Sequence, residues 1–240
     1  MREALTEIGG LTTRVVDDLP EGESPRLGVV LCHGFGAPGD DLAPIGAGMA
    51  RSSPTLAGAA RFYFPQGLLD LSHYGMFGSR AWWLIDLEAI QRAMAEGTFA
   101  PRMRNDRPEG LEQARMALLD LAAHARKECG RIALGGFSQG AMLATDVAMH
   151  LEETPAALIQ WSSTLLNEEE WRRLAPRHRR MKVVQSHGRQ DPILPYAWAE
   201  NLRDVMVECG FDVGFLPFDG PHTIPTKAFE RAVQVLAAAV

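Results

Sequence analysis

The stretch Arg131-Ile132-Ala133-Leu134-Gly135-Gly136-Phe137-Ser138-Gln139-Gly140-Ala141-Met142 decides how this chain is read. Ile132-Ala133-Leu134 has the apolar character of a buried strand, and an amphipathic helical pattern starts at Gly140 and runs to Glu152. Between them, Gly136-Phe137-Ser138-Gln139-Gly140 matches G-x-S-x-G. A chain that passes from strand to helix around one residue presses the flanking residues together, so glycine is needed on both sides of the serine. The serine oxygen is then lifted above the sheet at a helix N-terminus, where free backbone N–H groups can meet a developing negative charge. The five letters alone are a weak signal; the strand before and the helix after give them meaning.

Outward from this turn the same alternation repeats. Short apolar runs fall at residues 28–31, 60–64, 131–134, 156–159, 181–184 and 213–216, and several are apolar on both faces, as buried parallel strands are. Amphipathic stretches at 110–128, 140–152, 196–209 and from 226 to the C-terminus are each long enough to cross one sheet face. The order predicts an α/β fold with a mostly parallel central sheet and helices on both faces, and Leu11 to Val16 adds an antiparallel strand at the front. Residues 66–108 break the pattern: they carry Leu68, Leu69, Tyr74, Met76, Phe77, Trp82, Trp83 and Leu84 over a span longer than an ordinary connection. They read as a short lid-like or pocket-lining insert, ending in a polar loop at 102–108. No Pro/Gly/Ser linker divides the chain, so residues 1–240 are expected to form one domain.

Composition narrows the function. With 240 residues, 46% hydrophobic and 22% charged, the chain can build a full core, which excludes a globally disordered or fibrous protein. Its 24 Lys+Arg against 30 Asp+Glu give a net charge of -6, so there is no general attraction to nucleic acid. The run Arg172 to Arg180 is locally basic and is read as a solvated face. The first ten residues hold Glu3 and Glu7 without an apolar core, and no segment approaches the ~20 apolar residues of a membrane span, so no stable membrane insertion is expected. Three widely spaced cysteines, Cys32, Cys129 and Cys209, fit reduced thiols and a cytoplasmic protein.

A serine hydroxyl needs a base, and the base needs an acid to orient it, in the chain order Ser, Asp or Glu, His. Four histidines follow Ser138, and His150 lies within the helical stretch 140–152 just after the serine, which leaves three in later loops. His178 lies inside the basic run, and His187 precedes the acid that best suits the site. His222, in Asp219-Gly220-Pro221-His222-Thr223-Ile224, follows the last apolar run and precedes the last helix, so its loop can reach the serine. For the acid, Asp191 sits in the turn-rich His187-Gly188-Arg189-Gln190-Asp191-Pro192 segment at the carboxyl end of a strand, where open α/β sheets place their sites. Asp219 and the group Glu168, Glu169 and Glu170 compete with it; the three glutamates resemble the first turn of a helix.

The loop Cys32-His33-Gly34-Phe35-Gly36-Ala37-Pro38-Gly39 can leave backbone donors free, and the N–H of Phe35 with that of Gln139 forms the natural pair around an oxyanion. Neither G-x-G-x-x-G nor a Walker motif is present, which removes a dinucleotide or phosphate reading of this loop. His33 lacks the partner spacing of a metal ligand and reads as a hydrogen-bonded structural histidine, so neither metal nor organic cofactor is expected.

Taken together, Val29 to Gly36, Phe64-Pro65-Gln66-Gly67, Ala81-Trp82-Trp83, Leu134 to Gly140, His187-Gly188 with Asp191-Pro192 and Pro195, and Gly220 to Ile224 resemble the phospholipase/carboxylesterase family of α/β-hydrolases. That family includes acyl-protein thioesterases and small bacterial carboxylesterases, and the resemblance runs from about Leu27 to Phe229. Phe35, Ala37 and Gly39-Asp40-Asp41 are closer to the bacterial branch. The resemblance implies the α/β-hydrolase fold with Ser138 as nucleophile, His222 as base, Asp191 as orienting acid, and Phe35 and Gln139 as oxyanion donors. The implied activity is hydrolysis of a small carboxylic ester with a short to medium acyl chain, with lysophospholipase and acyl-protein thioesterase as alternatives. A non-catalytic ligand-binding protein of the same fold is the rival from another class. Trp82, Trp83, Trp161 and Leu165 are candidate acyl-pocket residues, with burial in the core as their competing role. The aromatic insert leaves both a lid and a homodimer contact open.

Overall fold

The computed structural model describes residues 1–85 and 104–240. The strands, in chain order, are β1 (Arg2–Ile8), β2 (Leu11–Asp17), β3 (Leu27–Cys32), β4 (Ala60–Pro65), β5 (Leu69–Asp70), β6 (Arg80–Ala81), β7 (Arg131–Phe137), β8 (Leu158–Trp161), β9 (Lys182–Gly188) and β10 (Asp212–Phe218). The described helices are α1 (Ala43–Ser52), α2 (Pro54–Ala57), α3 (Leu111–Cys129), α4 (Gln139–His150), α5 (Glu168–Leu174), α6 (Tyr196–Glu208) and α7 (Thr226–Ala237). Eight strands form one sheet in the order β1-β2-β4-β3-β7-β8-β9-β10, while β5 and β6 form a separate small ribbon. From β4 to β10 all neighbours are parallel; β1 with β2, and β2 with β4, are antiparallel.

Alternate side chains of a strand leave on opposite faces, and here both faces are covered. Val30, Cys32, Ile132, Leu134, Leu158 and Val183 pack with Leu118 and Leu121 of α3, Leu143 and Val147 of α4, Trp171 of α5 and Leu202 of α6. Val29, Leu31, Phe62, Phe64, Ala133 and Ile159 pack on the other face with Met49 of α1, Leu56 of α2 and Ala228, Ala232 and Leu236 of α7. Burying each Val, Leu or Phe contributes about 1.5–3 kcal/mol, so continuous apolar runs are the natural sequence of such strands. This is the α/β-hydrolase arrangement, an eight-stranded, mostly parallel sheet between two helical layers.

The structure departs from the sequence reading at its edges. β1 was not expected: Arg2 to Glu7 are all exposed, so no apolar stripe marks them, and the strand is held by its full pairing with β2. α1 and α2 also lie outside the predicted helices. α1 contains Pro44, Gly46 and Gly48, poor helix formers in isolation, but proline is accepted in the first turn, and Met49 and Ala50 are buried against the sheet. β7 and β9 run past the apolar stretches that announced them, to Phe137 and Gly188, carrying the chain up to the site. The helix at 168–174 agrees with the first-turn reading of Glu168 to Glu170. Of the insert at 66–108, residues 86–103 lie outside the described residues, and with them the part of the lid expectation that falls there. Among the described residues no helix is long and apolar enough to cross a membrane.

Candidate active site

β7 delivers Ser138 to the carboxyl edge of the sheet, and α4 begins at the next residue. Ser138 has φ 53° and ψ -121°, a backbone conformation that costs a non-glycine residue about 1–3 kcal/mol and persists only where its surroundings enforce it. The enforcement is visible. The Ser138 N–H donates to the Trp161 carbonyl at 2.9 Å, and its own carbonyl accepts from the N–H groups of Ala141 and Met142 at 3.0 and 3.1 Å. A Cβ on Gly136 would stand 2.4 Å from the Cys32 carbonyl oxygen, and one on Gly140 would stand 2.2 Å from the same atom and 2.4 Å from that of His33. Both glycines of the motif are therefore required by backbone-to-backbone contact.

Asp191 follows β9 and His222 follows β10, and His222 Nδ1 lies 2.6 Å from Asp191 Oδ2. The other carboxylate oxygen accepts the N–H groups of Ile193 at 2.8 Å and Leu194 at 2.9 Å. Burial raises the affinity of the Asp191 carboxyl for its proton, but the bonds from His222, Leu194 and Ile193 outweigh it and hold the group below the usual carboxylate range. Asp191 is thus an ionised, fully hydrogen-bonded acceptor for the imidazole. The histidine loop is docked onto the aspartate loop: Arg189 and Gln190 donate their N–H groups to the carbonyls of Phe218 and Gly220. Ser162 Oγ bonds the Thr223 carbonyl at 3.3 Å. The His222 ring packs on Phe137, the residue before the serine, with ring centres 4.6 Å apart. Ser138 and His222 are brought to one rim in this way, and among the described residues no hydrogen bond yet joins them. Catalytic contacts commonly tighten only when substrate is bound.

The competing acids are occupied or remote. Asp219 is 84% exposed and lies 3.6 Å from Arg189, while Glu168 is paired with Arg104 and Arg172, and Glu170 with Arg173 and His150. His178 is fully buried, not solvated with its arginine neighbours, and contacts Thr154 Oγ1 and the Met149 carbonyl. His187 is also buried, beside Asp191.

The loop after β3 packs on the elbow. A Cβ at Gly34 would meet Phe137 at 3.2 Å and Ser138 at 3.5 Å. The N–H of Gly36 is taken by the Arg80 carbonyl and that of Ala37 by the Gly34 carbonyl, whereas the N–H groups of Phe35 and Gln139 have no hydrogen-bond partner among the described residues. The two donors expected to meet an oxyanion are thus the two left free. His33 is structural: its Nε2 accepts the Gly67 N–H at 2.9 Å, so the ring proton sits on Nδ1, 2.8 Å from the Gly34 carbonyl. Burial favours this neutral ring.

One participant was missed from sequence. The Gln139 side chain, 1% exposed, accepts the Trp82 N–H at 3.1 Å and donates to the Trp83 carbonyl at 2.8 Å. Trp82 Nε1 in turn donates to the His33 carbonyl at 2.9 Å. The insert is thereby clamped to both halves of the candidate oxyanion site, by contacts made across 49 to 57 residues that no local pattern announces. Trp82, Trp83, Trp161 and Leu165 are all buried; Trp82, Trp83 and Leu165 share the α3/α4 side of the sheet, and Trp161 lies on the α1/α7 side.

Comparison with known proteins agrees with this geometry. The sequence profile of the family described as Phospholipase/Carboxylesterase matches residues 20–240. A stretch of 93 residues is 30% identical to acyl-protein thioesterase 1 of Neurospora crassa, so the chain spans 38% of the length of that curated relative, and the match takes in 38% of this chain. Among solved structures, esterase PE8 superposes with a TM-score of 0.77 at 25% identity, covering 96% of this chain and 99% of the other. The Bacillus cereus carboxylesterase (TM-score 0.63, 18% identity, 96% and 95% covered) and Zea mays acyl-protein thioesterase 2 (TM-score 0.66, 17% identity, 95% and 98% covered) share the fold.

Proposed function

The chain belongs to the phospholipase/carboxylesterase family, and from that premise we propose that it is a serine hydrolase cleaving carboxylic esters of short to medium acyl chains through an acyl-enzyme intermediate. The observation that carries this reading is the 2.6 Å contact between Asp191 and His222 on loops docked beside a strained elbow serine, next to two N–H groups that have no partner among the described residues.

In this reading Asp191 accepts the Nδ1–H of His222 and leaves Nε2 bare to take the proton of Ser138 as Oγ attacks the ester carbonyl. The carbonyl oxygen, now negative, rests on the N–H groups of Phe35 and Gln139. His222 passes its proton to the leaving alcohol, the C–O bond breaks, and the acyl group stays on Ser138. Water, deprotonated by His222, then repeats the sequence and releases the acid. Every proton in this scheme is handled by the chain's own groups. A thioester would use the same first half and differ only in its leaving group, so the acyl-protein thioesterase and lysophospholipase alternatives change the substrate and not the steps.

Hydrolysis of p-nitrophenyl esters from acetate to palmitate, with Ser138→Ala alongside, tests the proposal. Turnover that peaks at short or medium chains and falls about a million-fold in the folded variant is expected. Esterase activity unchanged in Ser138→Ala overturns it, and a folded wild type inert at every length favours a ligand-binding protein.

A further inference from the structure

We propose that His187 is a positioning residue for the reaction, locking the Asp191 carboxylate and the turn that holds it so that His222 keeps its orientation. This rests on the reading of Asp191 as the orienting acid. His187 is the penultimate residue of β9 and is fully buried. Its Nε2 lies 2.7 Å from the Leu194 carbonyl oxygen and 3.3 Å from Asp191 Oδ2. The Leu194 carbonyl can only accept, so Nε2 carries the ring proton and donates it there, with Asp191 Oδ2 in near contact beside it.

That single N–H closes a ring of contacts. Leu194 donates its N–H to Asp191 Oδ1, and its carbonyl accepts the Nε2–H of His187, so the two bonds hold Leu194 from both sides. The carboxylate is bonded at both oxygens, by Ile193 and Leu194 at Oδ1 and by His222 at Oδ2. His187 packs against Oδ2 at 3.3 Å, while its bond to the Leu194 carbonyl fixes the turn that carries the Oδ1 donors.

The surroundings of His187 suit holding and not proton transfer. Burial disfavours the charged ring, and Nδ1 is buried with no hydrogen-bond partner among the described residues. The titratable groups facing it are Asp191, His222 and, from α6, Tyr196, whose ring centre is 6.4 Å away and carries Arg189 on its face. A Cβ on the next residue, Gly188, would stand 2.3 and 2.4 Å from the carbonyl oxygens of Gly220 and Pro221, so the same strand end abuts the loops of both the acid and the base.

Glutamine and methionine are nearly the same shape and differ in the amide N–H, so H187Q and H187M separate the donor from the space it fills. Steady-state kinetics on a p-nitrophenyl ester, with melting temperature recorded for each variant, should show H187Q keeping the larger part of kcat. H187M should lose kcat by about 10–100-fold with KM within about twofold, the pattern of a misplaced catalytic group. In a D191N background H187M should add no further loss, because its effect passes through the carboxylate. Equal rates for H187Q and H187M, a change confined to KM, or full additivity with D191N would each overturn the proposal while leaving a crippled D191N to support the triad. D191N turning over at the wild-type rate removes the acid assignment and this proposal together.

Discussion

Two turns rich in glycine lie on either side of the loop after β3 and are built on opposite terms. At the elbow, Cβ atoms on Gly136 and Gly140 would drive into backbone oxygens of Cys32 and His33 at 2.2–2.4 Å. At the tip of the β5–β6 ribbon, Gly75 and Gly78 have positive φ as well, yet a Cβ on either meets nothing within 4 Å. The ribbon is tied at its base, where the Gly36 N–H meets the Arg80 carbonyl and the Arg80 N–H meets that of Ala37, each at 2.9 Å. Beyond it Tyr74 and Phe77 stand 63% and 84% exposed, and Met76 reaches over Gly36. Reactive geometry is thus set where backbones touch, and the surface laid over it is free to vary. Strain at Ser138 persists because rigid neighbours impose it; comparable positive-φ backbone at the tip is accommodated by glycine itself.

The comparison breaks if the rim and the tip respond alike to substitution. Asp191→Asn should leave a folded protein that turns over esters about ten-thousand-fold more slowly, since the amide no longer holds the imidazole in the working tautomer; stopped assays on purified variant read this directly. The same variant sharpens the electrostatics. A carboxyl held below its unfolded value stabilises the fold above the ordinary carboxylate range and loses that contribution as pH falls through its lowered value. The gap in melting temperature between wild type and Asp191→Asn should therefore narrow on acidification.

Gly140→Ala should come next, with a loss above about 3 kcal/mol in urea unfolding or failure to fold, because the obstructing atoms are backbone and cannot step aside. Gly75→Ala, with open space but φ 78°, should cost only about 1–2 kcal/mol and leave kcat on a short ester intact. Phe77→Ser should be the mildest, within about 0.5 kcal/mol in stability, with no change on p-nitrophenyl acetate. If Gly75→Ala proved as damaging as Gly140→Ala, the contrast drawn here would be wrong.

What the sequence disclosed follows the same division. The elbow was legible because sharp backbone geometry demands glycine at fixed spacing from Ser138, and the sheet because strands buried on both faces must be continuously apolar. The pair of Asp191 with His222 could be anticipated because both fall in turn-rich loops at the carboxyl ends of strands, and the structure joins them directly. β1 was illegible because Arg2 to Glu7 are all exposed and carry no apolar stripe, so the strand is held by its pairing with β2. α1 was illegible because proline and glycines lower its propensity while tertiary burial restores it. The clamp of Gln139 on Trp82 and Trp83, and the contact of His187 with Leu194, depend on which residues fold back on each other, and one-dimensional patterns hold no record of that.

The central claim is that Ser138 is a nucleophile activated by His222 and served by free backbone donors. Treating the folded protein with a fluorophosphonate and locating the adduct by peptide mass spectrometry tests it most directly. The account predicts a single covalent adduct on Ser138, absent in Ser138→Ala and formed far more slowly in Asp191→Asn. A folded protein that takes no label, or takes it at another residue with Ser138 unmodified, would contradict it.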